Sequence, residues 1–300
     1  MILAGGTGFI GTALAHRLRE RGHEVVVLTR RPPQRRSDGA REAQWDGRVA
    51  GPWAAELEEA GGVINLAGST INTVHNAENR RRILESRVDP VRALGAAVRA
   101  CRQPPAVWVQ TSAVGIYGQG DGCCTEDTPA GEGFMPEVCV RWEQAFREEC
   151  PAALRAVVLR VGVVLGRRGG AYPLLARVTK LFLGGAAGDG RQGISWILLD
   201  DLEEIFLRAV ESDAMRGVYN ACAPEPASNA EFMRALRASL GRPWAPPAPT
   251  FLIRRVAPLV MRTDASLVLQ GQHAVPARLE AEGFRFRARR IEPALRALAG

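Results

Sequence analysis

Ala4-Gly5-Gly6-Thr7-Gly8-Phe9-Ile10-Gly11 is the stretch on which the reading of this chain turns. It holds G-x-x-G-x-x-G at positions 5, 8 and 11. The residues before it, Met-Ile-Leu-Ala, suit a short buried strand. After it, Ile10, Ala13, Leu14 and Leu18 recur at helical spacing. Gly22 then ends the helix, and Val25-Val26-Val27-Leu28 reads as a second buried strand. Strand, glycine turn, helix and strand together form one βαβ unit of about thirty residues. A glycine pattern alone means little in a chain with 32 glycines, but here each has a task. Gly5 permits the tight turn out of the strand, Gly8 lets backbone approach a pyrophosphate, and Gly11 lets the helix pack close to the sheet. The unpaired N–H groups of the first helical turn would face the phosphates. Gly5, Thr7, Gly8, Phe9, Ile10 and Gly11 are therefore the expected phosphate-binding residues.

The alternation continues along the chain. Strands are expected at 62–67, 106–112 and 156–161. A long helix is expected over 78–101, disturbed at Pro90, and another over 136–149 with Pro136 in its first turn. Near-continuous apolar strands separated by helices predict a Rossmann-type α/β fold, a doubly wound parallel sheet covered on both faces. After about residue 166 the texture changes to glycine-rich segments, a short helix near 172–182, a proline-rich connector at 242–249 and a strand-like Gly283-Phe284-Arg285-Phe286. The expected division is a dinucleotide-binding domain over 1–165, to which 194–222 returns. Residues 166–193 and 223–300 would form a smaller C-terminal substrate lobe.

Composition narrows the function classes. Hydrophobic residues make up 46% and charged residues 24%, as in ordinary globular proteins. No apolar run is long enough to span a membrane, and glycines interrupt the first apolar stretch, so the expectation is a cytoplasmic chain with no membrane partner. The formal charge is +7, but the arginines are scattered without a groove-reading motif, which argues against nucleic acid. Six cysteines without a C-x-x-C pair and four isolated histidines argue against a metal site. The expected partner is a small-molecule substrate, and a homodimer is compatible with the reading.

The cofactor is expected to be NADP(H). NAD sites place Asp or Glu at the end of the second strand, on the ribose 2′-hydroxyl. Here that strand ends Leu28-Thr29-Arg30-Arg31. Arg30 and Arg31, presented by Thr29, would meet a 2′-phosphate with their guanidinium forks.

The sequence resembles the extended short-chain dehydrogenase/reductases, in their epimerase-like branch. Residues 5–11 look like that family's cofactor loop and Asn65-Leu66-Ala67-Gly68 like its N-x-A-G element. Thr111-Ser112-Ala113-Val114-Gly115-Ile116-Tyr117-Gly118 resembles the catalytic-serine strand, one residue longer than the commoner form. Leu159 to Gly166 resembles the strand beside the nicotinamide, and Trp196 to Leu202 a later strand-to-helix segment in which relatives often carry His at the place of Leu198. The tail, Leu267 to His273 and Pro276 to Phe286, is similar to that of an atypical subfamily, the epimerase family proteins with a C-terminal domain of unknown function. The resemblance covers essentially the whole chain. It implies that Leu66, Ala67, Gly68, Gly162 and Val163 line the cofactor, with Arg87 reaching its phosphates or the substrate's.

One departure bears on chemistry. The family's reaction usually rests on Tyr-x-x-x-Lys plus Ser. The only lysine here is Lys180, with Ala at position 176, and the matching segment, Phe134 to Glu143, has neither Tyr nor Lys. Met135 and Cys139 occupy the pair's places. Oxidising an alcohol, as a nucleotide-sugar epimerase must, needs a base that is missing. Reducing an activated carbonyl needs only a proton donor, for which Ser112 and Tyr117 are the candidates. Arg191 and Trp196 are expected near the substrate, and Asp200-Asp201 at the cap of a helix. The expectation is an NADP(H)-dependent oxidoreductase acting on a small carbonyl or sugar-like substrate. The alternatives are a nucleotide-sugar epimerase and a non-catalytic NADP(H)-binding regulator.

Overall fold

The computed structural model describes residues 1–257 and 263–300. Its first half runs β1 (Ile2–Ala4), α1 (Phe9–Glu20), β2 (Val26–Thr29), β3 (Arg41–Gln44), β4 (Val63–Asn65), α2 (Ala77–Ala100), β5 (Val107–Ala113), β6 (Cys123–Cys124), α3 (Phe134–Glu149) and β7 (Arg155–Val161). It continues with β8 (Val163–Gly166), β9 (Gly169–Gly170), α4 (Tyr172–Lys180), β10 (Gly193–Ile194), β11 (Trp196–Leu198), α5 (Leu199–Glu211) and β12 (Gly217–Ala221). The last part holds β13 (Ala227–Ser228), α6 (Asn229–Ser239), α7 (Thr250–Val256), α8 (Ser266–Leu269), β14 (His273–Ala274), α9 (Ala277–Ala281) and α10 (Ile291–Ala299).

Seven of these strands form one parallel sheet in the order β12-β7-β5-β4-β1-β2-β3. The chain order reverses between β1 and β4, and ligands of such sheets bind outside the carboxyl ends of the strands at this switch point. Each face has its own core. Leu14 and Leu18 of α1 and Ile205 and Phe206 of α5 cover one side. Val91 and Leu94 of α2 and Trp142 and Phe146 of α3 cover the other, where Trp108 of β5 meets Phe146 edge to face at 5.2 Å. The helices bury the stripes their spacing predicts, as with Gly11, Leu14, Ala15 and Leu18 in α1. The Rossmann-type fold is thus present.

Some local expectations are corrected. Helix α2 runs through Pro90, which is buried in it. Gly283 to Phe286 is no strand: Gly283 turns the chain at φ +73°, and the Phe284 and Phe286 rings meet edge to face at 4.8 Å and pack on the core. Asp200 and Asp201 sit in the first turn of α5 without capping it. Asp201 accepts the Arg287 backbone N–H at 3.1 Å and Asp200 pairs with the Arg287 guanidinium at 2.6 Å, so both tie α5 to the C-terminal segment. Trp196 is fully buried and donates to the Glu225 carbonyl at 3.1 Å, which takes it out of any substrate surface. Arg191 is exposed.

Candidate functional site

The loop between β1 and α1 holds three glycines that packing requires, Gly5, Gly6 and Gly11, and one that it does not, Gly8. Gly5 has φ +78°, and a Cβ there would lie 2.7 Å from the Leu66 carbonyl carbon. At Gly11 a Cβ would lie 2.5 Å from the Gly6 Cα. At Gly8 it would meet only the Gly5 carbonyl oxygen, at 3.6 Å. The space over Gly8 is open, and Thr7 and Gly8 are exposed. Gly8 is the N-cap of α1, no side chain caps the helix, and its first turn holds no acid. That leaves unpaired N–H groups and the positive end of the helix dipole facing the gap. Ile10 is half-buried at the start of the helix. The Phe9 ring is turned away into the β8–β9 hairpin, where a Cβ on Gly166, Gly169 or Gly170 would approach it to between 2.2 and 3.0 Å. The other wall of the gap is fixed by Asn65. Its side chain donates to Gln110 Oε1 and accepts the Ala67 N–H, both at 3.0 Å, which orients Leu66, Ala67 and Gly68.

At the end of β2, Thr29 accepts the Arg31 N–H at 3.4 Å, and Arg30 and Arg31 point outward. Sequence reasoning missed Glu42 of β3. Its carboxylate is wholly enclosed, accepts the Gln34 N–H at 2.8 Å, and lies 3.6 Å from both Arg31 and Arg36. Strand β3 pairs with β2 along Arg41 to Gln44, and its mixed charged pattern carries no strand signal. Arg30 has no carboxylate within ion-pair distance among the described residues. It lines a hollow of about 840 Å³ with Gln44, Trp45 and Trp53, the two indoles meeting edge to face at 5.3 Å.

Toward the carboxyl ends of β5, β7 and β12, a buried polar network joins residues far apart in sequence. The Ser112 hydroxyl donates to Glu143 Oε1 at 2.7 Å. The Arg160 guanidinium grips the same carboxylate through Nε and Nη2, at 2.9 and 3.0 Å. Arg160 Nη1 donates to the Tyr117 hydroxyl at 3.0 Å, and that hydroxyl donates to Asn220 Oδ1 at 2.7 Å. Ser112 and Tyr117 are only 2% and 6% exposed. Burial pushes the Tyr117 hydroxyl up to about 12, against the opposing pull of Arg160. Both hydroxyls are engaged inside the protein, a commitment that sequence proximity could not reveal.

Cys139 lies beside this network, and burial pushes its thiol up to about 12 although the nearby Arg87 charge pulls it down. The Arg87 guanidinium lies over the Trp142 ring at 5.3 Å and donates to the Ile83 carbonyl at 2.9 Å. It also flanks Gly68, whose Cβ direction points 3.5 Å from its Cζ. No carboxylate lies within ion-pair distance of Arg87 among the described residues, and desolvation lowers its pKa. A cation therefore stands beside the buried Cys139 thiol. Gly162 is required by packing, since a Cβ would lie 2.5 Å from the Ser195 carbonyl oxygen. Val163, which follows it, is 38% exposed, unlike its neighbours in β7. Among the described residues no three His, Cys, Asp or Glu side chains cluster to hold a metal.

Comparison with known proteins fits this arrangement. Residues 1–222 match the family described as NAD dependent epimerase/dehydratase, and residues 248–298 match a domain of unknown function, DUF1731. The chain is similar to the epimerase family protein SDR39U1 of Bos taurus, 37% identical over 95% of each chain. It is also similar to the chloroplastic SDR39U1 homolog of Arabidopsis thaliana, 34% identical over 99% of this chain and 85% of that one. Among solved structures it resembles human SDR39U1 isoform 2 with NADPH, with a TM-score of 0.88 and 35% identity over 99% of this chain and 98% of that one. The chain belongs to the NAD dependent epimerase/dehydratase family and carries, after that region, a C-terminal DUF1731 domain.

Proposed function

We propose that this protein is an NADP(H)-dependent oxidoreductase that reduces a small, activated carbonyl or imine-like substrate. The observation that carries the reading is the open space over Gly8. The fold tolerates a side chain there, yet the loop leaves the site bare before an uncapped helix N-terminus, as a pyrophosphate requires. Gly5 and Gly11 shape that cradle, Thr7, Phe9 and Ile10 complete its loop, and Leu66, Ala67 and Gly68 form the opposite wall. Arg30 and Arg31 at the end of β2 favour a 2′-phosphate, with Glu42 holding Arg31 and Arg36 in place. The human relative's structure with NADPH supports the same cofactor.

When bound, NADPH supplies hydride; the chain's own contribution is to hold, orient and shield. Arg87, which has no carboxylate within ion-pair distance among the described residues, supplies positive charge beside Gly68 at the place of the missing lysine. Gly162 and Val163 form the floor on the nicotinamide side. Ser112 and Tyr117 act through the Glu143–Arg160 network as positioning residues, and the proton for a reduced carbonyl comes from water. This disfavours alcohol oxidation and hence sugar epimerisation. The engagement of both hydroxyls also favours a second reading, a non-catalytic NADP(H)-binding regulator. We assign residues 1–165 and 194–222 to the cofactor domain and residues 166–193 and 223–300 to a lobe that covers the substrate. Six unpaired cysteines favour a reducing compartment, for which we take the cytoplasm.

The test is NADPH oxidation, followed optically against a panel of aldehydes, ketones and imines. Turnover with at least one acceptor is expected. Epimerisation of nucleotide sugars without net cofactor change would overturn the reductase reading, and tight NADPH binding with no turnover on any acceptor would favour the regulator.

A further inference from the structure

Two stretches of the chain meet on one side of the C-terminal lobe. Residues 163–188 contain Arg167, Arg168, Arg177 and Lys180 and no acid. Residues 232–257 contain Arg234, Arg237, Arg242, Arg254 and Arg255 and again no acid, in a chain that has 32. They are joined by backbone: the Ala248 N–H donates to the Ala186 carbonyl at 2.8 Å and the Gly188 N–H to the Ala248 carbonyl at 2.9 Å. They are also joined by side chains. Arg237 donates to the Gly184 carbonyl at 2.8 Å, and Arg242 donates to the Lys180 carbonyl at 3.3 Å while lying over the Phe182 ring at 5.0 Å. Many arginines elsewhere pair with carboxylates, as Arg17 does with Glu20, Arg160 with Glu143 and Arg289 with Glu280, although among the described residues Arg30 and Arg87 do not. None of these nine cations has a carboxylate within 4.0 Å among the described residues.

The same side exposes apolar side chains that water would ordinarily drive inward. Leu181, Phe182 and Leu183, in the turn after α4, are 64%, 49% and 63% exposed, and Trp244, Phe251 and Leu252 are 66%, 72% and 46% exposed. Phe182 is held at φ +62°, a strained conformation for a bulky residue, and still points into solvent. Helix α7 buries no residue in the fold. Beside the turn, Arg167, Arg177, Lys180 and Tyr172 line a hollow of about 480 Å³ that contains no acid.

We propose that this side of the lobe docks on the surface of an anionic phospholipid bilayer. The apolar side chains enter the headgroup–acyl boundary, the cations meet the lipid phosphates, and the hollow by Arg167, Arg177 and Lys180 receives a headgroup. Charge and shape both select this occupant. A second copy meeting the surface about a two-fold axis would set cations against cations. Apolar tips carried on a turn, a connector and a short helix, ringed by basic residues, insert among lipids without one matching shape. No helix is long and apolar enough to cross a membrane among the described residues, so the contact is peripheral. It departs from the expectation of no membrane partner, which rests on the lack of a spanning segment alone and does not bear on a peripheral surface.

The experiment is co-sedimentation of the full chain with vesicles of phosphatidylglycerol and phosphatidylcholine, against vesicles of phosphatidylcholine alone. Partitioning at least tenfold stronger onto the anionic vesicles is expected, weakening as salt rises. Arg254→Glu with Arg255→Glu should reduce it at least tenfold. Phe182→Asn, which also relieves the positive φ, together with Leu183→Ser should reduce it similarly while leaving the melting temperature unchanged or raised. Arg82→Glu with Arg92→Glu on α2, the same change in net charge placed elsewhere, should leave binding within about threefold. No anionic preference, or equal losses from the two charge-reversal pairs, would overturn the proposal. So would concentration-dependent dimerisation that is lost in Phe182→Asn with no vesicle binding.

Discussion

At Gly8 an added side chain would meet protein only at the Gly5 carbonyl oxygen, whereas at Gly11 it would strike the Gly6 Cα. Gly8→Val should therefore fold with a melting temperature near that of the parent and lose NADPH binding by at least a hundredfold, because the branched side chain fills the phosphate's place. Gly11→Val should fail to fold. Calorimetric titration alongside circular dichroism separates the two, and retained NADPH affinity in Gly8→Val would leave the loop purely structural. Cofactor choice belongs to the same scale. Arg30 has no competing carboxylate among the described residues, and Arg31 is drawn toward Glu42 at 3.6 Å. Arg30→Ala should weaken NADPH about ten- to a hundredfold, the worth of one charged hydrogen bond, and leave NADH within about twofold. Equal affinity of the parent chain for both cofactors would refute the assignment.

Elements carry the polar network, and its expected behaviour is structural. Glu143 of α3 bridges Ser112 of β5 and Arg160 of β7. Glu143→Ala would leave Arg160 buried without its carboxylate, at a cost of about 3 to 5 kcal/mol in urea unfolding. Ser112→Ala should cost only about 1 kcal/mol, since the Glu143 carboxylate keeps Arg160, and Tyr117→Phe should change NADPH affinity little. Turnover that collapses in Tyr117→Phe while stability holds would make Tyr117 the proton donor after all. These contacts also mark where the sequence stops being legible. The glycine loop and the Asn65 element are local, so spacing displays them. Ser112 and Glu143 lie 31 residues apart and Tyr117 and Asn220 lie 103 apart, so only folding brings them together. Strand β3 went unread for another reason. It is an edge strand, one neighbour wide, and alternates charge with little apolar content, so neither burial nor period marks it.

On the scale of the whole molecule, helix α5 joins the cofactor side to the C-terminal segment, and its acids make that joint sensitive to pH. Asp201, buried against the Arg287 backbone, is pushed up to about 6 chiefly by desolvation. Glu203, half-buried on the same helix, is pushed up to about 7 by desolvation and the neighbouring Asp200 charge, against the pull of Arg17 and Arg287. In the unfolded chain both would titrate near 4. Between about pH 4 and 7 the folded protein therefore binds more protons than the unfolded one, and stability falls as pH rises through that window. Carboxylates held low by their partners work at the other end. Asp38 beside Arg36, Glu56 beside Arg41 and Glu204 beside Arg17 contribute stability that disappears only when acid reaches them below about pH 4. The melting temperature should therefore peak between about pH 4 and 5 and decline toward about pH 7, above which both acids are ionised in the folded and unfolded chain alike. Glu203→Gln removes the carboxylate that is pushed up further of the two while keeping the shape. It should add roughly 1 to 2 kcal/mol at pH 8, seen as a rise of a few degrees, and almost nothing at pH 4.5. A variant that gains equally at both pH values, or a parent whose melting temperature climbs from pH 5 to 8, would show that α5 does not titrate in this window.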